Sequence, residues 1–228
     1  MKGIRLLILT AFLLVSCSSL PVIKPFIPPA KPKLSFCPAP FLKEPYRLVH
    51  IIEVQVAGES PGAIIGITLV DPSTGFISCA VMTPEGLVLL EAKATPTPEV
   101  IRALPPFDSG DLAKNLIEDI KLIFLAPDGD VTAKGILPDG AEICRWQQKS
   151  GGWIDVIARQ PEGIDINKYS SYGRWQRRIR LKSTAENAYS RIELTAKETF
   201  NYFLLMTLIE AEPLESELKT ERSKGSEE

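Results

Sequence analysis

A mainly β (α+β) fold, an antiparallel meander interrupted by two helices, is predicted from three observations. Short runs rich in Val, Ile and Tyr alternate with clusters of Gly, Pro, Asp and Ser on both sides of the chain centre. A proline-opened helix start and an amphipathic stretch separate those two sets of runs. The composition is that of an ordinary globular chain, 45% hydrophobic with a net charge of −2.

The first strand is expected over 46–57, ended by the turn cluster Gly58-Glu59-Ser60-Pro61-Gly62. Strands over 63–70, 76–83 and 87–94 follow, separated by Asp71-Pro72-Ser73-Thr74-Gly75 and Pro84-Glu85-Gly86. Runs of this length joined by short turns pair most simply with their neighbours. Both faces of the second strand are apolar, Ile64 and Val70 on one side and Ile65, Ile67 and Leu69 on the other. A half-solvated sheet alternates more cleanly, so each face needs an apolar cover or lines a cavity.

Thr97-Pro98-Glu99 reads as a capped helix start, and Pro105-Pro106 would stop that helix near Leu104. A second helix is expected from Asp108–Asp111 onward, with Leu112, Leu116, Ile120, Ile123 and Phe124 at helical spacing. Its apolar stripe reads as plain core or as a lid over a cavity. Strands over 129–137, 141–147 and 153–159 come next, then a loop over 161–169. A hairpin of 174–183 with 188–196 follows, then a last strand over 203–211, favoured there over a helix. Residues 212–228 are charged and poor in large apolar side chains, which predicts a disordered tail.

Several function classes find no support. No basic excess points to nucleic acid. No glycine-rich phosphate loop and no GxSxG elbow occurs, and acidic residues form no recognisable pair, so no catalytic residue is assigned and the protein reads as a non-enzyme. The single histidine, His50, shares a strand face with Leu48 and Ile52 and reads as a packed or rim residue. Four cysteines include no CxxC, so no metal site is expected. Cys37, Cys79 and Cys144 allow one internal disulfide at most, with the pairing open, Cys79 with Cys144 being one choice and buried free thiols another. Arg174, Arg178, Arg180 and Lys182 alternate along one strand and form a solvated outer face or a basic patch for lipid phosphates or an acidic carrier.

The amino end is more specific. Lys2 and Arg5 precede an apolar run of about ten residues, the order of a secretory signal, and too short for a ~20-residue membrane span. Leu14-Val15-Ser16-Cys17 resembles a bacterial lipobox. That resemblance implies a signal peptide over 1–16 and covalent diacylglycerol plus an N-acyl chain on Cys17, with no other cofactor. Two or more chains give stable anchoring. Residues 17–42 carry Pro21, Pro25, Pro28, Pro29, Pro32, Pro38 and Pro40 and are expected to form an extended tether. Ser18 and Ser19 after the cysteine, in place of an aspartate, imply by the same resemblance the outer membrane, on its periplasmic face.

Strands, two helices and strands behind a lipobox resemble the LolA/LolB-like fold, in its lipid-anchored LolB-type branch, over about Tyr46 to Thr195 within a domain of 43–211. Thr97 to Ile101 leading to Leu112–Leu125 carries the likeness, with the hairpin of Cys144 to Ile157 centred on Gly152-Trp153. The resemblance implies an incomplete antiparallel β-barrel whose two helices plug or cover the concave face, enclosing a hydrophobic cavity. It implies acyl chains of lipoproteins or other lipids as cargo, a periplasmic carrier protein as donor, and a receptor role in lipoprotein localisation. Membrane lipid is the other partner, and a monomer is expected. Ile52, Val54, Ile65, Ile67, Leu69, Val81 and Leu90, with Leu116 and Ile120 of the helix, are the candidate cavity residues. Members of the branch project an apolar residue from an early turn, whereas Asp71 to Gly75 is polar here. The alternative is a structural or assembly envelope lipoprotein with a packed barrel that binds a protein partner.

Overall fold

A computed structural model describes residues 20–25, 37–56, 59–95, 97–105, 107–108, 110–159, 161, 163–183, 189–198 and 201–214. The expected signal peptide, Cys17 and residues 215–228 of the expected tail lie outside the described residues.

A short strand, β1 (Lys24–Pro25), comes first. The first meander is β2 (Tyr46–Val56), β3 (Glu59–Asp71), β4 (Phe76–Met82), β5 (Val88–Ala94) and β6 (Pro98–Ala103). Helix α1 (Gly110–Phe124) follows. The second meander is β7 (Asp130–Ile136), β8 (Glu142–Gln147), β9 (Trp153–Arg159), β10 (Gly163–Tyr169), β11 (Trp175–Ser183), β12 (Tyr189–Lys197) and β13 (Asn201–Pro213). Among the described residues, thirteen strands make one sheet in the order β1-β7-β8-β9-β10-β11-β12-β13-β2-β3-β4-β5-β6. Every pairing is antiparallel. The last strand lies along the first long one, from Tyr202 opposite Val56 to Pro213 opposite Tyr46, and so joins the two meanders. The sheet is open, ending at β1 and β6, and does not close into a barrel.

Strand parity explains what is inside. Leu48, His50 and Ile52 of β2 are buried, while Ile51 between them is 40% exposed. Ile179 and Leu181 of β11 are buried while Arg178 and Arg180 are exposed. Inward residues of β4 and β5 (Ile77, Val81, Leu90) share one buried cluster with those of β9 to β12 (Val156, Ile166, Ile179, Leu194). Strands at opposite ends of a flat sheet could not meet, so the sheet bends around this cluster.

Several expectations are corrected, two of them boundaries: residues 59–62 of the expected turn open β3, and residues 212–213 of the expected tail end β13. The helix expected from Thr97 to Leu104 is the edge strand β6, so one helix, not two, occurs among the described residues. Pro98 opens that strand at the sheet's rim, where a missing ladder donor costs nothing, and Val100 and Ile101 favour extended backbone. The loop expected over 161–169 is β10, paired on both sides. Its Ile164 and Ile166 pack inward, while outward Asp165 and Asn167 find arginine partners that make them compatible with a sheet. The expected tether is held at both ends. Lys24 and Pro25 pair with Ile136 and Gly135, and Cys37 is disulfide-bonded to Cys144 of β8. A Cβ on Gly135 would stand 2.0 Å from the Lys24 carbonyl oxygen, so only glycine admits β1 there. Cys79, the other proposed partner of Cys144, is a buried free thiol facing the core from β4.

The disulfide closes a loop with a sequence separation of 107, which the chain-entropy account values at about 4–5 kcal/mol. Replacing Cys37 and Cys144 with Ser is therefore expected to lower urea-unfolding stability by that order, with an unchanged midpoint contradicting the account.

Candidate functional site

The candidate site is the concave face under α1. Asp111 sits in the first turn of the helix and Lys121 in the last, matching the helix dipole. Ala113, Ile117, Ile120 and Phe124 recur at three- and four-residue steps and are all buried. This stripe packs on β4, β5 and β6. At the far end the Leu42 amide donates to the Phe124 carbonyl at 3.0 Å, so the segment leading into β2 caps the helix.

The flank of the helix facing the other meander is polar. Asp119 is 3% exposed and Arg177 of β11 is 4% exposed. Arg177 Nε donates to Asp119 Oδ1 at 2.8 Å, and the Tyr202 hydroxyl of β13 donates to Asp119 Oδ2. Arg177 Nη1 also lies 2.8 Å from Glu198 Oε2, and its guanidinium stands over the Tyr202 ring. Burial pushes the Asp119 carboxyl above its usual range, and the Arg177 charge and Tyr202 hydroxyl only partly pull it back. Burial also raises the Tyr202 phenol, with the Asp119 charge adding to it. The helix thus joins the apolar cluster shared by both meanders, and on the flank facing β10 to β13 it adds the buried Asp119–Arg177–Tyr202 cluster and the longer Glu118–Lys168 pair at 3.9 Å.

His50 is the second polar group inside. It is 1% exposed, its Nδ1 has no hydrogen-bond partner among the described residues, and its ring stands 6.2 Å from that of Phe124. Opposite it in β3 is Gly66, where a Cβ would meet Ile52 Cδ1 at 2.6 Å. Burial lowers the imidazole pKa to about 4, so it is neutral at ordinary pH.

Of the nine predicted cavity residues, the structure brings six together. Ile52, Val81, Leu90 and Ile120 are buried in the cluster, and Val54 and Leu116 pack against it. Ile65, Ile67 and Leu69 alternate with the buried Gly66, Thr68 and Val70 and stand on the opposite, outer face. The inner positions of β3 went unassigned because Gly66 and Thr68 break the apolar alternation there. Asp119, Arg177 and Tyr202 were also missed. A lone acid within an apolar helix stripe was their only sequence signal.

The predicted basic row is outside, and two of its four cations, Arg180 and Lys182, are neutralised by carboxylates. Arg180 lies 3.7 Å from Asp165, Lys182 lies 3.0 Å from Glu193, and Arg178 donates to Asn167. Arg174 is exposed just ahead of β11. In the polar early turn, Asp71 accepts from the Ser73 amide and from the Ser73 and Thr74 hydroxyls, which hold its carboxyl below the usual range. Phe76 opens β4 half-buried. No helix among the described residues is long and apolar enough to cross a membrane, and none of their His, Cys, Asp and Glu side chains group to hold a metal.

No protein-family model and no curated protein matches the chain. Among the solved structures that align with it are these two. One is a LolA superfamily protein from Nitrosomonas europaea, 11% identical, with a TM-score of 0.49 over 78% of this chain and 90% of that one. The other is a putative outer membrane lipoprotein-sorting protein domain from Vibrio parahaemolyticus, 9% identical, with a TM-score of 0.46 over 80% and 90%. Their names coincide with the resemblance read from the sequence. At this identity and superposition they carry no residue role over to this chain.

Two outcomes are expected from the buried polar groups. Arg177→Met leaves the buried Asp119 carboxylate without its guanidinium, with only the Tyr202 hydroxyl bond, and should cost about 3–5 kcal/mol, most of it recovered in Asp119→Leu/Arg177→Met. Urea unfolding of the three proteins measures this, and a double variant as weak as the single one contradicts it. His50 has a lowered folded pKa, so the unfolded chain takes up its proton first as pH falls from 6.5 to about 4. Stability is lost across that window, by about 3 kcal/mol for a shift of this size, and His50→Leu should flatten the slope there.

Proposed function

We propose that this protein is an envelope lipoprotein, anchored through acylated Cys17, that binds acyl chains between its concave sheet face and α1. The observation that carries the reading is the way α1 covers an apolar interior. A 15-residue helix spans about 22 Å, and it packs on three strands of a sheet of thirteen. The apolar side chains beneath it belong to both meanders. The Asp119–Arg177 contact is one localised cluster on that flank of the helix, with the longer Glu118–Lys168 pair beside it.

An acyl chain entering there replaces helix-to-sheet contacts with chain-to-sheet contacts. At ~25 cal/mol per Å² of buried apolar surface, affinity comes from area, with no covalent step. Ile52, Val54, Val81 and Leu90 on the sheet and Leu116 and Ile120 on the helix are the residues proposed to line the chain. A role in receiving lipoproteins from a periplasmic carrier at the outer membrane is the finer proposal, supported by Ser18 and Ser19 after Cys17.

A second reading is favoured by one observation. Ile77, Leu90, Ile117, Val156, Ile166 and Ile179 are each completely buried, which suits a packed scaffold that meets a protein partner on its surface.

A Cys17-deleted protein, purified from cells and extracted with organic solvent, should yield acyl chains by mass spectrometry and take up a fluorescent fatty acid. Leu116→Asp/Ile120→Asp should reduce uptake at least tenfold. No recovered lipid and no uptake by the parent protein would leave the scaffold reading.

A further inference from the structure

The amino end of the described chain is bound across the outer side of β7 and β8. Lys24 and Pro25 pair with β7, and Ile23 packs on Leu137, Ile143 and Ile157. The Pro21 carbonyl accepts from Arg145 Nη2 at 3.1 Å. Arg145 is itself fixed by bonds of 2.6 and 2.7 Å to Asp155, whose side chain is wholly buried. Cys17 precedes Leu20 by three residues. Three residues reach at most about 11 Å, so acyl chains on Cys17 bring a bilayer surface that close to this part of the sheet.

The same face carries headgroup chemistry. Arg145, Asp155, Asn167 and Arg178 are successive cross-strand partners in β8, β9, β10 and β11. Three interstrand steps place Arg178 about 14 Å from Arg145. Arg178 and Lys197 flank the Trp175 ring, 5.1 and 5.2 Å from its centroid. Tyr172, in the turn just before, is 77% exposed, and Val22 is 75% exposed. Among the described residues, Arg174, Arg178 and Lys197 have no carboxylate partner, whereas Arg180, Lys182 and Arg191 reach Asp165 or Glu193. Aromatic rings beside unneutralised cations suit the boundary of an anionic leaflet.

We infer that the outer face of β8 to β11, from Val22 to the Trp175 corner, rests on the leaflet holding the acyl chains of Cys17. Arg174, Arg178 and Lys197 lie against its anionic headgroups, and the side covered by α1 turns to the aqueous compartment. The inference rests on acylation of Cys17 as proposed above. It replaces a long tether with a fixed seat.

The acylated full chain is placed in vesicles of phosphatidylglycerol and brominated phosphatidylcholine. Trp146→Phe and Trp153→Phe leave Trp175 as the only indole. Brominated lipid should quench Trp175 at least threefold more than a reference whose only indole is introduced by Ile101→Trp on β6. Equal or reversed quenching overturns the seat. In the unaltered chain, a photoactivatable phospholipid should label the peptide 170–178 in preference to 97–105, and the opposite preference also overturns it. Protection of Trp175 from acrylamide that appears only at high protein density, without lipid quenching, assigns the face to a second copy and sinks the lipid proposal. Absence of acyl mass on the Cys17 peptide removes the anchor and this inference together, while an acylated chain with uniform quenching removes this inference alone.

Discussion

The pairing of β13 with β2 is the constraint on which the molecule depends. Among the described residues the two strands are the last and the first long one, and each belongs to a different meander. Their register, Met206 opposite Ile52 and Leu204 opposite Val54, points both inner rows the same way. A slip of one residue would turn those side chains outward and expose His50 to water. This seam makes one interior from two small sheets, because it brings the inner faces of β4–β5 and β9–β12 onto a single cluster. The contact is also of long range, so both meanders must form before it rewards their closure.

That interior explains the division of labour on α1. Its stripe of Ala113, Ile117 and Ile120 adds area to the cluster, which any amphipathic helix could do. Asp119 adds position, because a carboxylate out of water tolerates few placements, and Arg177 and Tyr202 define this one. The helix therefore adds apolar area to an interior that both meanders share, and its polar contacts, Asp119 with Arg177 and Tyr202 and Glu118 with Lys168, reach the second meander. The Leu42-to-Phe124 hydrogen bond and the Cys37–Cys144 disulfide tie the segment ahead of β2 to the same structure. Residues 23–25, 37 and 42 are fastened to the domain, which shortens the reach of any anchor at Cys17.

Long, clean elements were legible from residues alone. β2, β4, β5 and β11 alternate well enough that their inner faces follow from parity, whereas β9 was legible only as a span, because both of its faces are buried. The helix follows from its stripe. Elements whose evidence is tertiary were not legible. β6 looked helical because Thr97-Pro98-Glu99 is locally a good cap, and its place at the rim removes the objection to proline. β10 looked like a loop because Asp165 and Asn167 were read without Arg159 and Arg178 beside them. β1 is two residues long and exists through Gly135 and β7. The site divided the same way. Ile52, Val54, Val81, Leu90, Leu116 and Ile120 follow from pattern, whereas Ile65, Ile67 and Leu69 were placed on the wrong side of β3. Their apolar character reflects a greasy outer face, not the interior.

The central claim is that α1 moves off the sheet when an acyl chain enters beneath it. Spin labels at Lys114 on the exposed side of α1 and at Lys93 on β5 measure that separation directly. Saturation with palmitate should lengthen the mean distance by several ångströms, and Asp119→Asn should lengthen it part of the way without ligand. A distance unchanged while palmitate is bound would place the chain elsewhere and contradict the account.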